Sequence, residues 1–123
     1  IKRFMESDIV TDAIENPCYR EYRFTVNIPA NLTGLTADTE TSVILQGAVD
    51  LLIVKDNQIT IVDYKTDRLS AHEIENPSEG EERLRRAHSL QLSYYKEAVF
   101  SMFGKYPKKT GVYSLHLGYE IEI

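Results

Sequence analysis

Alternating apolar and polar residues run through much of this chain and predict strands. Residues 19–28 alternate, with their apolar side chains on one face, which is typical of a half-buried strand. Residues 41–55 and 58–65 are apolar on both faces, which indicates strands in the middle of a sheet that is covered on both sides. Residues 110–117 alternate again, and residues 119–123 begin a further strand.

Apolar residues recur at helical spacing in two other stretches. Residues 4–15 form the first, which Asn16-Pro17 ends. Residues 81–103 form the second and clearer helix, closed by Gly104 as a C-terminal cap. One stripe of this helix consists of Leu84, His88, Gln91, Tyr95, Ala98 and Met102. The polar residues 66–80 before it predict a long loop.

This order of elements predicts an α/β fold, with a mixed central sheet and a long helix packed on it. A length of 123 residues fits a single domain. No internal repeat or low-complexity segment divides the chain. Both ends look interrupted, so we expect the chain to be a fragment of a larger protein.

The hairpin formed by the two central strands carries the most informative chemistry. If Asp56-Asn57 forms the tip of the turn, counting outward places Asp50 opposite Asp63. Side chains directly opposite each other in an antiparallel pair lie roughly 4.5–5.5 Å apart. Lys65 follows two residues after Asp63 and therefore shares its face. Two acids and a lysine are thus expected to converge at one end of the hairpin.

Two adjacent carboxylates repel each other unless a cation or a shared proton lies between them. Mg²⁺ prefers such hard oxygen ligands, and it helps phosphodiester hydrolysis by neutralising charge and activating water. We therefore predict that Asp50, Asp63 and the carbonyl of Tyr64 bind a metal ion. Lys65 would hold the attacking water and counter developing charge. Glu21, on the preceding strand, would orient water or a second ion.

The same residues also fit plainer interpretations. Asp50 fits a structural acid paired with Lys65, Asp63 fits a cap of the following turn, and Glu21 fits a surface ion pair with a neighbouring arginine. Paired carboxylates also occur in retaining glycosidases, although the small size, the absence of Trp and the adjacent lysine weigh against one. Metal dependence separates the two hydrolases, because a glycosidase of this kind needs no metal.

Composition excludes several classes of protein. The single cysteine, Cys18, rules out an internal disulfide and a cysteine-based metal centre within this chain. No apolar run approaches the ~20 residues of a membrane helix, and the N-terminus lacks the order of a signal peptide. We therefore predict a cytoplasmic protein that does not contact membranes.

The net charge of −5 argues against a dedicated nucleic-acid binder, so any DNA affinity must come from a local basic patch. Such a patch is expected where the start of the long helix meets the turn after Lys65. The residues that we assign to DNA contact are Arg68, Arg83, Arg85, Arg86, Gln91 and Tyr95. A simple solvated helix end is the alternative for the arginines.

Several motifs together make a specific pattern. They are Arg20-Glu-Tyr-Arg-Phe24, Gly47-Ala-Val-Asp50, Val62-Asp-Tyr-Lys-Thr-Asp-Arg68, Gln91-Leu-Ser-Tyr-Tyr95 and Tyr113-Ser-Leu-His-Leu-Gly118. Together they resemble the RecB-like branch of the PD-(D/E)XK nuclease superfamily. The resemblance covers most of residues 19–118 and implies a restriction-endonuclease-like fold, with residues 1–123 forming one nuclease domain.

The resemblance implies that Asp50 and Asp63 are metal-binding acids, that Lys65 is catalytic and that Glu21 occupies an earlier acidic position. It implies a Mg²⁺-dependent DNA nuclease, an exonuclease that also accepts Mn²⁺, in a helicase–nuclease of double-strand-break repair and recombination. A second helicase–nuclease subunit would be its partner. The family's upstream helix with a metal-ligand histidine and the helicase motor are absent here. The alternative is therefore an inert nuclease-fold module that binds DNA or assembles subunits.

Overall fold

The computed structural model describes residues 5–33 and 40–123, and they form one five-stranded sheet with helices on both faces. The helices are α1 (Asp8–Glu15), α2 (Ala71–Glu75) and α3 (Pro77–Phe103). The strands are β1 (Cys18–Pro29), β2 (Ser42–Lys55), β3 (Gln58–Lys65), β4 (Lys109–Ser114) and β5 (Tyr119–Glu122). A short 3₁₀ helix, Ala30–Thr33, follows β1.

The strands lie in the order in which they occur along the chain, from β1 to β5. All neighbouring pairs are antiparallel except β3 and β4, which are parallel. A parallel pair needs a long crossover connection, and α3 provides it. The predicted mixed sheet with flanking helices is therefore confirmed, and the C-terminal ends of β3 and β4 lie side by side near the middle of the sheet.

Two apolar clusters cover the two faces of the sheet. The cluster under α3 joins Leu92, Tyr95, Ala98 and Val99 of the helix to buried residues of β1, β2, β3 and β4. On the opposite face Ile9 of α1 packs in a cluster with residues of β2, β3 and β4. The prediction that β3 is covered on both faces is confirmed. The first half of β2 departs from it, because Ile44 is 68% exposed.

Residues 66–80 differ from the loop that their polarity predicts. Ser70 accepts a hydrogen bond from the backbone N–H of Glu73, whose side chain accepts one from the N–H of Ser70, and this capping box begins α2. α3 then begins at Pro77, four residues earlier than predicted, because proline fits the first turn of a helix, where its missing N–H costs nothing. The connection after Lys65 is therefore short and largely helical.

The alternation of residues 110–117 predicts a longer strand than the structure has. β4 ends at Ser114, and the backbone turns over residues 115–118, so Leu115 is 37% exposed and does not continue the strand. At the N-terminal end, α1 buries Ile9 but leaves Ile14 exposed, and Phe4 lies outside the described residues. None of the helices described is long and apolar enough to span a bilayer.

Candidate active site

Asp50 and Asp63 lie next to each other at the end of the β2–β3 hairpin. The paired register runs as far as Leu51 opposite Val62, and the two acids are the next positions in it. The side chain of Asp63 is 4% exposed, while Asp50 is half-buried. Asp50 Oδ2 accepts a hydrogen bond of 2.8 Å from the backbone N–H of Tyr64. The predicted juxtaposition of the two acids is therefore confirmed.

Lys65 lies on the same face, as predicted, and its ammonium group contacts two neighbours. Its Nζ lies 2.7 Å from Asp63 Oδ2 and donates a 2.9 Å hydrogen bond to Gln91 Oε1. The amide nitrogen of Gln91, Nε2, donates a 3.0 Å hydrogen bond to the hydroxyl of Tyr95. Lys65 is therefore fixed between β3 and α3, and Gln91 finds its hydrogen-bond partners within the site.

The two carboxyl groups perturb each other. Burial, together with a hydrogen bond to the Asp50 carboxyl and the charge of Asp50, raises the pKa of Asp63 to about 6, although Lys65 opposes the shift. Burial also raises the pKa of Tyr95 to about 12, and the negative charges of Asp63 and Asp50 contribute to this shift. Near neutral pH the pair therefore carries concentrated negative charge in a poorly hydrated place, which favours a cation beside it.

The strands are irregular where Asp50 enters the site. In β2, Val49 and Leu52 pack in the cluster under α3, whereas Leu51 packs in the cluster under α1, so strict alternation breaks at Asp50. Directly across in the register of β1, Glu21 has a φ of 50°, in the left-handed region that non-glycine residues rarely occupy. This local irregularity occurs where Asp50 and Glu21 line the same cleft, and the period-2 pattern of the sequence does not predict it.

The donor set fits a hard divalent cation. Asp63 Oδ2 is buried and, apart from its ion pair with Lys65, makes no hydrogen bond. Asp50 borders a cleft of about 360 Å³, also lined by Arg20, Glu21 and Tyr64, which has room for a hydrated ion. Within residues 5–33 and 40–123, no three His, Cys, Asp or Glu side chains converge on one ion position. Two carboxylates are enough for Mg²⁺, because it keeps several waters.

The predicted basic residues differ in their surroundings. Arg83 pairs with Glu73 and donates to the carbonyl of Arg68, and Arg85 donates to the carbonyl of Glu122 at 3.3 Å. Arg86 is exposed beside several acidic side chains. Exposed Arg68 lies three positions after Lys65. The arginines therefore do not form one continuous patch.

Two contacts beside the site do not follow from the sequence-based prediction. His88 Nε2 lies 3.1 Å from Asp67 Oδ2, and His116 Nδ1 accepts a 2.7 Å hydrogen bond from the backbone N–H of Leu69. The spacing of His88, three residues before Gln91 on the same helical stripe, was the available signal. His72 pairs instead with Glu79, away from the acids.

A sheet whose central hairpin ends in an acid pair, with a lysine two residues after the second acid, has the Asp-x-Lys arrangement for which one class of nucleases is named. The family model of the PD-(D/E)XK nuclease superfamily matches residues 6–120, and the chain belongs to this family.

Several curated proteins that are named as ATP-dependent helicase/nuclease subunits are similar to the chain. The protein of Ligilactobacillus salivarius is 33% identical over 125 residues, which cover 98% of the chain. That of Clostridium beijerinckii is 32% identical over 132 residues and 100% of the chain, and that of Staphylococcus carnosus 32% identical over 106 residues and 85% of the chain. The chain spans only 9% or 10% of the length of these relatives.

Proposed function

We propose that this chain is a metal-dependent nuclease domain that hydrolyses phosphodiester bonds of DNA. The buried acid pair with Lys65 in contact with Asp63 is the observation that carries the proposal. Asp50 and Asp63, with the carbonyl of Tyr64, are the proposed ligands of Mg²⁺, and Mn²⁺ can replace it. A bound ion would supply charge neutralisation at the phosphate and a more acidic water.

The protein residues then have separate roles. Lys65 is held between Asp63 and Gln91, so its ammonium group has a fixed position from which it counters the charge that develops on the attacked phosphate. Gln91 and Tyr95 keep it there through their own hydrogen bond. Glu21 borders the cleft in front of Asp50 and orients water there. Asp50, Asp63, Lys65 and Glu21 are the proposed catalytic residues.

DNA is the proposed substrate because the relatives are named helicase/nuclease. The strand would run over the turn after Lys65 and the first half of α3, where Arg68, Arg85 and Arg86 offer cationic groups. By the same similarity we propose exonuclease activity within a helicase–nuclease of double-strand-break repair and recombination, in the cytoplasm, and its proposed partner is a second helicase–nuclease subunit.

Cleavage of labelled single-stranded DNA by the purified protein tests the proposal. We expect cleavage with Mg²⁺ or Mn²⁺, none with EDTA, and none for Asp63→Asn. Lys65→Ala should lower the rate by about 10²-fold, the scale expected when a charge-stabilising group is lost, and a melting curve checks that the variant is folded at the assay temperature. Lys108→Ala, just before β4 and at the opposite end of β3 from the acids, is the matched control. Cleavage by Asp63→Asn at the normal rate would contradict the site.

The presence of only two converging acids among the described residues favours one other function, an inert module that binds DNA without cutting it. The same assay separates the two. Metal-independent DNA binding with no cleavage by the unaltered protein would support the inert module, and cleavage abolished by Asp63→Asn would exclude it.

A further inference from the structure

Residues 66–70 connect β3 to α2 without being helix or strand, yet they are fixed on both sides of Arg68. Before it, the carboxyl group of Asp67 lies within hydrogen-bond distance of His88 on α3. After it, the backbone N–H of Leu69 donates to His116 in the turn after β4. This connection is therefore tied to two other parts of the molecule.

Arg83 of α3 holds the backbone of Arg68 itself. Its Nη2 donates a 2.6 Å hydrogen bond to the carbonyl oxygen of Arg68, and its Nε lies 2.8 Å from Glu73 Oε2. Glu73 in turn is fixed by the capping box that it forms with Ser70. One planar guanidinium group thus joins the connection to α2, a fork geometry that a lysine cannot reproduce.

Leu69 anchors the same connection in an apolar cluster. It is 6% exposed and packs with Leu84, Leu117 and Ile121. α3 approaches closely because Gly80 faces it, since a Cβ at Gly80 would lie 3.1 Å from Leu69 Cδ1. The backbone on both sides of Arg68 is therefore held by contacts with α2, α3 and the turn after β4.

The side chain of Arg68 is the exception within this fixed connection. It is exposed and makes no hydrogen bond or ion pair with any residue in 5–33 and 40–123. It lies three positions after Lys65, so the Cα atoms of the two residues are within about 11 Å of each other. A cation on a rigid backbone loses less entropy when it binds an anion than one on a mobile loop.

We propose that Arg68 binds a DNA phosphate next to the one that is cleaved, and that Arg83 is a positioning residue that acts only through Arg68. This proposal rests on the proposed nuclease function for the identity of the ligand. It revises the expected role of Arg83, whose guanidinium group is already engaged by Glu73 and the Arg68 carbonyl.

Binding of a fluorescein-labelled oligothymidylate, measured in EDTA at several salt concentrations, tests both parts. Arg68→Ala should weaken binding and lower the slope of log affinity against log salt by about 0.7, the value of one lost phosphate contact on a single strand. Arg83→Lys keeps the charge but not the fork, and should weaken binding nonetheless. Lys108→Ala, with the same loss of charge as Arg68→Ala, should leave binding unchanged.

The double variant separates positioning from direct contact. If Arg83 acts through Arg68, Arg68→Ala combined with Arg83→Lys should bind no more weakly than Arg68→Ala alone. Additive effects, or full affinity of Arg83→Lys, would show that Arg83 does not position Arg68. An unchanged salt slope for Arg68→Ala, or no binding by the unaltered protein, would overturn the phosphate contact. Circular dichroism melting of each variant confirms that it is folded.

These outcomes are independent of cleavage. Salt-dependent binding through Arg68 with no cleavage in Mg²⁺ would refute the proposed nuclease function and leave the phosphate contact standing. Metal-dependent cleavage, with DNA binding that is the same for Arg68→Ala as for the unaltered protein, would support the nuclease function and refute the phosphate contact.

Discussion

Asp63 is the residue of the site whose pKa is shifted by opposing interactions. Its carboxyl group is buried against the like-charged Asp50, and the Lys65 ammonium group only partly offsets this, so the pKa rises to about 6. A group whose pKa is higher in the folded than in the unfolded protein binds its proton more tightly when folded. Ionisation of Asp63 therefore lowers the free energy of unfolding as the pH rises from about 4 to about 6.

We expect Asp63→Asn to stabilise the metal-free protein near neutral pH, because asparagine has no charge to bury. The gain should be absent at pH 4 and grow to on the order of 1–3 kcal/mol by pH 7. Denaturant unfolding in EDTA across this pH range measures it. Asp56→Asn in the exposed hairpin turn is the control. If the free energy of unfolding of Asp63→Asn equals that of the unaltered protein at every pH, ionisation of Asp63 does not destabilise the fold.

Glu21 stores strain in the backbone at φ 50°. Glycine adopts this conformation freely, whereas a β-branched residue does not. We expect Glu21→Gly to melt at or above the temperature of the unaltered protein, and Glu21→Val to lose about 1–2 kcal/mol. Equal melting temperatures for the two variants would mean that the backbone relaxes without Glu21. Glu21→Gln, which keeps the strain and removes the charge, isolates any effect on cleavage.

At the scale of elements, β1 and β2 pack closely at Gly47, beside the site. Gly47 faces Phe24 in the register, and a Cβ at Gly47 would lie 2.9 Å from Phe24 Cζ. The Phe24 ring stands edge-on to Tyr95, with ring centres 5.8 Å apart. The glycine in the Gly-x-x-Asp motif therefore makes room for an aromatic ring that supports the Gln91–Tyr95 hydrogen bond.

We predict that Gly47→Ala destabilises the protein by about 1–3 kcal/mol, because the added methyl group overpacks the Phe24 ring. Chemical denaturation measures the loss. In a Phe24→Leu background, where the ring is gone, the same change should cost clearly less. An equal cost in both backgrounds would place the strain elsewhere.

The sequence predicted those elements in which local pattern and tertiary environment agree. The β2–β3 hairpin has two apolar strands, a two-residue turn and a lysine at fixed spacing, so the relative positions of Asp50, Asp63 and Lys65 follow from counting. The polar residues 66–80 favour a loop, although Ser70 and Glu73 have the spacing of a capping box, which indicates the start of α2, and Pro77 fits the first turn of α3.

Other features depend on partners that are distant in the chain and were not predictable by counting. The left-handed backbone of Glu21 depends on the strand opposite it. The ties of Asp67 and Leu69 join residues 21 and 47 positions apart. The surroundings of Arg83 require α2, which the sequence-based prediction lacked. The roles of the site residues in catalysis and DNA binding stay predictions.

At the scale of the whole molecule, metal binding should couple to global stability. A ligand that binds only the folded state raises the free energy of unfolding by RT ln(1 + [L]/Kd), about 2.7 kcal/mol at a concentration of 100 Kd. We expect Mn²⁺ to raise the melting temperature of the unaltered protein but not of Asp50→Asn. Zero shift for both proteins would argue against a metal site at the hairpin.

The parallel pairing of β3 with β4 also determines when the site is assembled. The β2–β3 hairpin is local, and hairpins close within about 1–10 μs, whereas β4 pairs with β3 only after α3 has crossed over. The acids therefore meet while they are still in water, and the docking of α3 is the step that removes that water. We expect ionisation of Asp63 to slow this late docking step, and refolding rates in EDTA at pH 4 and pH 7, compared with those of Asp63→Asn, measure the effect.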